Sequence, residues 1–406
     1  MRITYLHQYF NTPSMSGGTR SYEMARRLVA MGHELNMVTS WREPDGRKDW
    51  FTTDEAGIQV HWLPVPYSNH MGYNQRIASF FKFAWGAARK AASLPADVVF
   101  ATSTPLTIAL PGAYTARRQK VPMVFEVRDL WPELPIAMGA LRNPVARMIA
   151  RRLEKFAYRN SKHVVALSSG MRDGVINAGY PIDNVSVIPN SADLELFDSG
   201  QTVAGSLRQS YPQLGANTPL VVYTGTMGAI NGVDYLPRIA GAALEAGFSL
   251  QFAVVGQGGQ ENRVHEEGLR LGVLDKNFYM FPAVAKTDMP TVLRDADVAL
   301  SLFIDLGAMW ANSANKFFDA LASGTPIAIN YGGWQKDLIE QTGAGLVIPP
   351  NDPVAAAQAL AMFTSDAGRL TAAGKAARRL AEDQFDRDVL AQQLESVLAD
   401  VAATGG

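Results

Sequence analysis

Lys316 and Asp319 stand three positions apart where a polar loop, Asn312, Ser313 and Asn315, runs into the apolar residues Phe317, Phe318, Leu321 and Ala322. Their spacing predicts a helix of about two to three turns whose other face carries Lys316 and Asp319. A helix N-terminus presents amide donors and the positive end of its dipole, so a lysine in the first turn suits a diphosphate. Asp319, one turn on, has the acceptor oxygens to hold a ribose diol. The same two residues also fit a plain i,i+3 surface ion pair of little energetic weight. A second charged group, Arg128-Asp129-Leu130-Trp131-Pro132-Glu133, follows an apolar run ending at Val127. Past the carboxyl end of a strand in an open α/β sheet, such residues lie where ligands bind, although an Arg-Asp pair that only braces the loop fits as well.

The elements that must position these groups recur along the chain. Gly324 ends the predicted helix, Pro326 opens a buried strand over 326–330, and Gly332-Gly333 turns the chain out of it. Near the N-terminus a strand over 2–6, a loop containing Gly17-Gly18, a helix over 19–31 and a strand over 35–39 make a β-loop-α-β unit of Rossmann-like type. Glycines there let a phosphate approach the backbone; a plain loop fits them too, and the three-glycine dinucleotide spacing is absent. Strands over 59–63, 98–102, 123–127 and 163–167 follow, and the polar stretch 198–218 reads as a linker. The architecture then restarts: strand 220–224, glycine turn 225–228, helix 232–246, strand 249–255, turn 256–259 and helix 261–271, with strands over 278–281, 298–302 and 346–348. The expectation is an α/β chain of two Rossmann-like domains facing across a cleft, over 1–195 and 196–385, with 386–406 a C-terminal helix placed to pack back on the first domain.

Composition narrows the function. Among 406 residues, 47% are hydrophobic and 18% charged, as in ordinary folded proteins. Cysteine is absent, which excludes disulfides, thiolate metal sites and a cysteine nucleophile, and suits a reducing compartment. The N-terminus enters a strand directly without a signal-peptide pattern, and no run of 18 apolar residues occurs, so a cytoplasmic protein that spans no membrane is expected. Residues 1–190 carry 23 Lys and Arg against 14 Asp and Glu, a net +9, whereas 191–406 carry 14 against 24, a net −10. The basic half suits an anionic partner. Within it, residues 76–92 combine Phe80, Phe81, Phe83 and Trp85 with Arg76, Lys82, Arg89 and Lys90, and 142–162 hold seven basic residues against Glu154. Such segments either lie on an anionic membrane surface or pack on their own core. No nucleic-acid module is legible, so nucleic acid is not an expected partner.

Together, the loop Met15-Ser16-Gly17-Gly18-Thr19-Arg20 with Gly32-His33-Glu34, the stretches 187–193 and 313–333, Tyr223-Thr224-Gly225-Thr226-Met227-Gly228, 254–258 and Ala296-Asp297-Val298 resemble family 4 retaining glycosyltransferases of the GT-B fold over nearly the whole chain. Arg128 to Glu133 resembles the subgroup that builds bacterial surface polysaccharides such as O-antigen and capsule, including transferases of N-acetylated 6-deoxy sugars. The resemblance implies sugar transfer from a nucleotide sugar, expected to be UDP-linked, with retention and without metal or cofactor. The +9 charge of residues 1–190 and the basic aromatic segment 76–92 add the expectation of a lipid-linked (polyprenyl diphosphate) saccharide as acceptor at the inner membrane face. The resemblance also implies an acceptor domain first and a nucleotide-sugar donor domain second. Carried over residue by residue, it assigns Asp129, Lys316 and Arg128 to catalysis. Gly17, Gly18, Arg20, Thr226, Gly228, Gly256, Asn315, Lys316 and Asp319 go to the donor, and His7 and Glu133 to the acceptor. The chain departs from the family at Ala311, where a sugar-binding glutamate is usual, and at Thr226 and Asn231, where an arginine and a lysine usually grip the diphosphate; Lys316 and Arg20 are the expected replacements. Arg128 stands where many members have a histidine near the reacting sugar, and pairing with it is expected to lower the pKa of Asp129 and leave that residue to orient a hydroxyl group. The alternatives are a non-hydrolysing nucleotide-sugar epimerase and an inactive nucleotide-sugar-binding subunit.

Overall fold

The computed structural model describes residues 1–15, 17–43, 45–66, 71, 73–199 and 206–404; Ser16 of the glycine loop and part of the expected linker lie outside them. Two compact units emerge, one of Met1–Pro189, Ala311–Ser313 and Asp388–Gly406, the other of Asn190–Trp310 and Ala314–Arg387.

The first unit is built on β1 (Arg2–Leu6), β2 (Glu34–Trp41), β3 (Phe51–Glu55), β4 (Ile58–Pro64), β5 (Val98–Thr102), β6 (Met123–Val127), β7 (His163–Ala166) and β8 (Val185–Val187). They form one sheet in the order β3-β4-β2-β1-β5-β6-β7-β8, parallel except for the antiparallel pair β3·β4. Central strands such as β5, VVFAT, and β6, MVFEV, are buried on both faces, as a parallel sheet covered by helices requires. Strands β3 and β8 are additions to the sequence reading. The first has the alternating exposure of an edge strand, joined to β4 through Ala56 and Gly57 at φ 56° and 82°, and the second has only three residues. From the C-terminal helix Arg387–Ala403, Leu390, Leu394 and Leu398 pack into the cluster of Ile3, Tyr5, Met24 and Leu28. Arg27 pairs with Asp388, and His33 Nε2 lies 3.1 Å from Glu395 Oε1, fastening the same helix.

The second unit carries β9 (Leu220–Thr224), β10 (Gln251–Val255), β11 (Phe278–Phe281), β12 (Val298–Ser301), β13 (Ile327–Ile329) and β14 (Gly345–Val347), all parallel in the order β11-β10-β9-β12-β13-β14. The helix expected from 232 begins at Tyr235, because Gly232 adopts φ +55° and packs where a Cβ would stand 3.2 Å from the Ile304 amide nitrogen. Each sheet reverses its strand order beside its first strand, at β1/β5 and at β9/β12, the points where open α/β sheets bind ligands past the strand carboxyl ends.

Candidate active site

In the second unit the loops after β9 and β10 lie backbone to backbone. A Cβ on Gly256 would fall 1.9 Å from the Gly225 carbonyl oxygen, and one on Gly258 would fall 2.5 Å from that of Met227. Gly225 N–H donates to the Val255 carbonyl at 2.9 Å and Met227 N–H to that of Gln257 at 2.9 Å. Asn231, where the family usually has a lysine, accepts the Gly228 N–H on Oδ1 at 3.1 Å and so pins this turn. Thr226 is exposed at its tip.

Against the turn lies Lys316, in the first turn of the helix Asn315–Ser323, which Ala314 precedes without a capping side chain and Gly324 ends in the left-handed conformation at φ 68°. A Cβ on Gly225 would stand 3.7 Å from Lys316 Cε and 3.8 Å from Nζ. The ammonium donates to the Tyr223 hydroxyl, which donates in turn to the Thr226 carbonyl at 2.8 Å. Burial pushes the Tyr223 phenol up, so it stays neutral and offsets no charge. Among the described residues no carboxylate pairs with Lys316, and burial pushes its pKa down to about 7. A desolvated cation beside glycine backbone and the start of a helix is an arrangement that favours an anion.

Asp319, 6% exposed, forms an ion pair through Oδ1 with Lys286, a cation the sequence reading did not single out; Lys286 also lies 5.7 Å from the centre of the Phe197 ring. Its only sequence signal is a lysine shortly after the strand β11. Asp319 and Lys316 therefore do not pair with each other, and the plain surface ion pair is not what forms. Asn315, beside Lys316, is exposed.

In the first unit, four adjacent strands in the order β2-β1-β5-β6 deliver Arg42, His7, Ser103 with Thr104, and Arg128 with Asp129 to one edge of the sheet. Two expectations need correction here. Arg20, expected to grip a donor phosphate, is 4% exposed: its Nη2 lies 2.8 Å from Glu126 Oε1 and 2.9 Å from the Ile188 carbonyl oxygen, and its Nη1 donates to Pro189. Burial acts to raise Glu126, but the charges of Arg20 and Arg128, with hydrogen bonds from Arg20 and Thr102, hold it below its ordinary range. Arg20 thus ties the glycine-loop helix to β6 and to the chain after β8. The second correction concerns Asp129, which makes no ion pair with Arg128 and instead accepts the Thr104 hydroxyl on Oδ2 at 2.8 Å. The carboxyl opens to solvent yet sits deep among protein atoms. That desolvation raises its pKa, which Thr104 and Arg128 lower only in part.

Arg128 Nη1 lies 3.3 Å from His7 Nε2, and its backbone N–H donates to Ser103 Oγ at 3.0 Å. His7 is 3% exposed, and burial, then the charges of Arg128 and Arg42, push it well below its ordinary pKa. Gly17, at φ 125°, lies where a Cβ would meet Asn11 Nδ2 at 2.6 Å, and that amide donates to the Gly18 carbonyl at 3.3 Å. Asn11 in turn accepts from Arg42. Glu133 is exposed at the start of the short helix Glu133–Ala137, and its charge helps raise Glu154. Ala311 accepts the Ser168 hydroxyl on its carbonyl at 2.6 Å.

Away from these loops, the helix Ala109–Gln119 packs against both Tyr73–Ala92 and Pro144–Arg159. Phe81 and Trp85 are 55% and 67% exposed on one, Tyr114 51% on the middle helix, and Val145, Met148 and Ile149 56%, 45% and 58% on the third. Phe83, expected with the surface aromatics, is buried. Lys82, Arg89, Arg118, Arg151, Arg152 and Lys155 are exposed on the same helices, Arg89 stacking on Trp85 at 4.6 Å.

Two parallel α/β units, each with a ligand-type loop cluster at its strand reversal, define a protein of the GT-B class. The chain is similar in fold to the sucrose-phosphate synthase of Thermosynechococcus elongatus (TM-score 0.79, 16% identity, 99% of both chains covered). It is also similar to HepE of Anabaena in complex with UDP-glucose (TM-score 0.72, 18% identity, 98% of this chain and 100% of that one). Its sequence matches the family described as Glycosyl transferase 4-like domain over residues 17–191 and that described as Glycosyl transferases group 1 over 218–366. A relative in Escherichia coli (strain K12), WcaI, named as a colanic acid biosynthesis glycosyl transferase, is 23% identical over 313 residues, covering 71% of this chain and 74% of its own. The chain belongs to the family 4 glycosyltransferases and is an enzyme of sugar transfer; the epimerase reading is set aside.

Proposed function

We propose that the enzyme moves a hexosyl group from a UDP-sugar to a lipid-linked saccharide during synthesis of a bacterial surface polysaccharide, with retention of anomeric configuration. The observation that carries the donor half is Lys316, a partly buried cation with no carboxylate partner among the described residues, held against Gly225. In this reading the diphosphate lies on Lys316, the turn 225–228 and the amides that open the helix at Asn315, and the ribose hydroxyls meet Asp319. The second unit is the donor domain and the first the acceptor domain.

The chemistry asks for charge stabilisation. An acceptor hydroxyl oxygen bonds to the anomeric carbon while the bond from that carbon to the diphosphate oxygen breaks, and the hydroxyl proton passes to the departing phosphate on the same face. Lys316 and the helix amides stabilise the negative charge that develops on the leaving group. Asp129 orients the hydroxyl. HepE, with the same fold, is described with UDP-glucose, and WcaI is named for colanic acid, which supports the donor and the pathway class.

The acceptor half rests on the +9 charge of residues 1–190 and on the three-helix face bearing Phe81, Trp85, Tyr114, Met148 and Ile149 among basic residues. Such a face suits the cytoplasmic headgroup layer, where a polyprenyl diphosphate saccharide presents its sugar. Calorimetry with UDP, followed by turnover of a UDP-sugar panel, including N-acetylated 6-deoxy donors, on lipid-linked and soluble acceptors, tests this function. Binding of UDP with transfer to lipid-linked acceptor is expected. Absence of UDP binding sinks the donor half, and equal use of neutral soluble sugars sinks the acceptor half.

A further inference from the structure

Arg128 lies where β6 ends, with one N–H on His7 Nε2 at 3.3 Å. A guanidinium only donates, so Nε2 holds the lone pair and the imidazole is neutral with its hydrogen on Nδ1. His7, 3% exposed, therefore props the arginine without cancelling its charge. The nearby carboxylates of Glu126 and Asp129 feel its charge, but neither forms an ion pair with it. Glu126 is bound by Arg20 and Thr102, and Asp129 turns to Thr104. Among the described residues no carboxylate forms an ion pair with Arg128, and its guanidinium is only partly exposed. Arg42, brought in by the neighbouring strand β2 and fixed on Asn11 and the Phe10 carbonyl, adds a second positive charge that His7 senses. A neutral sugar needs hydrogen bonds, and a serine or asparagine provides those without desolvating a cation. A guanidinium held by its side, with free N–H groups in a fork, matches a carboxylate or phosphate.

We propose that Arg128, propped by His7 and reinforced by Arg42, is an anion subsite that selects a carboxylate or phosphate carried by one of the two sugars in the transfer reaction. This rests on the glycosyltransferase reading above and adds a substrate class to it. The anion belongs either to the donor, as a uronic acid, or to the acceptor, as a sugar phosphate or uronate, and the chemistry of recognition is the same in both. His7 is a positioning residue that acts through Arg128.

The first measurement is thermal stabilisation by inorganic phosphate in Lys316→Ala, where the diphosphate site is disabled. A rise of roughly 2 °C at tens of millimolar phosphate is expected, retained in part by a further Arg128→Lys and lost with Arg128→Gln. Circular dichroism checks that each variant is folded. The second measurement compares UDP-glucuronate with UDP-glucose as donors, and glucose 6-phosphate with glucose as competitors for the acceptor. A preference of at least tenfold for the charged compound in one arm, erased by Arg128→Gln through KM more than kcat, assigns the anion to that arm. His7→Asn, which keeps an acceptor for Arg128, should preserve more of the preference than His7→Leu. Equal use of charged and neutral compounds in both arms, or a phosphate response indifferent to Arg128, overturns the proposal. Wild-type UDP binding, measured in the same series, tests the donor reading separately.

Discussion

The ammonium of Lys316 lies 3.8 Å from the centre of the Tyr223 ring and bonds its neutral hydroxyl, so a cation in the donor unit is solvated by an aromatic residue instead of a carboxylate. Among the described residues no anion competes for this lysine, which suits the diphosphate proposed to bind there. Lys316→Ala should lower kcat/KM by at least tenfold, on the scale of ~2 to 4 kcal/mol for removal of one leaving-charge stabiliser. Retention of more than about a third of wild-type kcat/KM would reject the assignment.

The same environment predicts a pH dependence. With the Lys316 pKa pushed down to about 7, the free enzyme loses this cation as pH rises through 7, well below the range of an ordinary lysine. UDP affinity should fall roughly tenfold per pH unit between about 7.5 and 9, because binding must then return the proton. Lys316→Arg, charged throughout, should flatten the profile measured by calorimetry; a flat wild-type profile contradicts the linkage.

Arg20 has become a structural residue. Arg20→Ala leaves Glu126 buried without its partner, a change that costs about 3 to 5 kcal/mol in comparable buried pairs. Urea unfolding should show this loss while folded protein keeps its UDP dissociation constant within about twofold. A mild stability change with a tenfold loss of UDP binding would return Arg20 to the donor site.

For Asp129, removal of the charge with little change of shape separates orientation from folding. Asp129→Asn should lower kcat at least about tenfold and leave UDP affinity within roughly twofold, since positioning acts on turnover. Thr104→Val, which removes the hydroxyl on Oδ2, should produce a smaller fall in the same direction. Parallel losses of stability and UDP binding would make the residue structural.

Glu154 gives a stability signature. Burial, then the charge of Glu133, pushes its pKa up to about 7, so between about 4.5 and 7 the folded state holds a proton that the unfolded state has lost. Its contribution therefore falls as pH rises through that window and is constant above it. Glu154→Gln should gain on wild type by about 2 to 3 kcal/mol from pH 4.5 to 7 in chemical unfolding. An unchanged difference across the window would exclude the shift.

The exposed face of three helices makes a prediction about lipid. Sedimentation with vesicles containing anionic lipid should bring down the wild type at low salt, less so at high salt, given about 1 kcal/mol per basic residue near the surface. Trp85→Ser with Ile149→Ser should weaken the salt-resistant part, because apolar insertion is not screened. Wild-type protein that stays in the supernatant at both salt concentrations rules out membrane docking through this face.

What the sequence determined by itself was periodic and local. Alternating glycine turns, apolar strands and helical faces specify two parallel α/β units, because each pattern answers to backbone geometry within a few residues. Strand β1 and the helix stop at Gly324 fall where the residues place them for that reason. Lys316 was legible because its neighbours in the chain form the helix start that suits a cation there to an anionic group. The edge strand β3 was not, since its half-polar residues carry little signal without the partner β4. Partner choice among charged side chains was decided by tertiary structure alone. Arg20 meets Glu126 across 106 positions, Lys286 meets Asp319 across 33, and Arg128 passes over adjacent Asp129 for His7, 121 positions away. A charged group settles on the partner that best offsets its desolvation, whichever element brings that partner close, so sequence proximity does not predict the pairing.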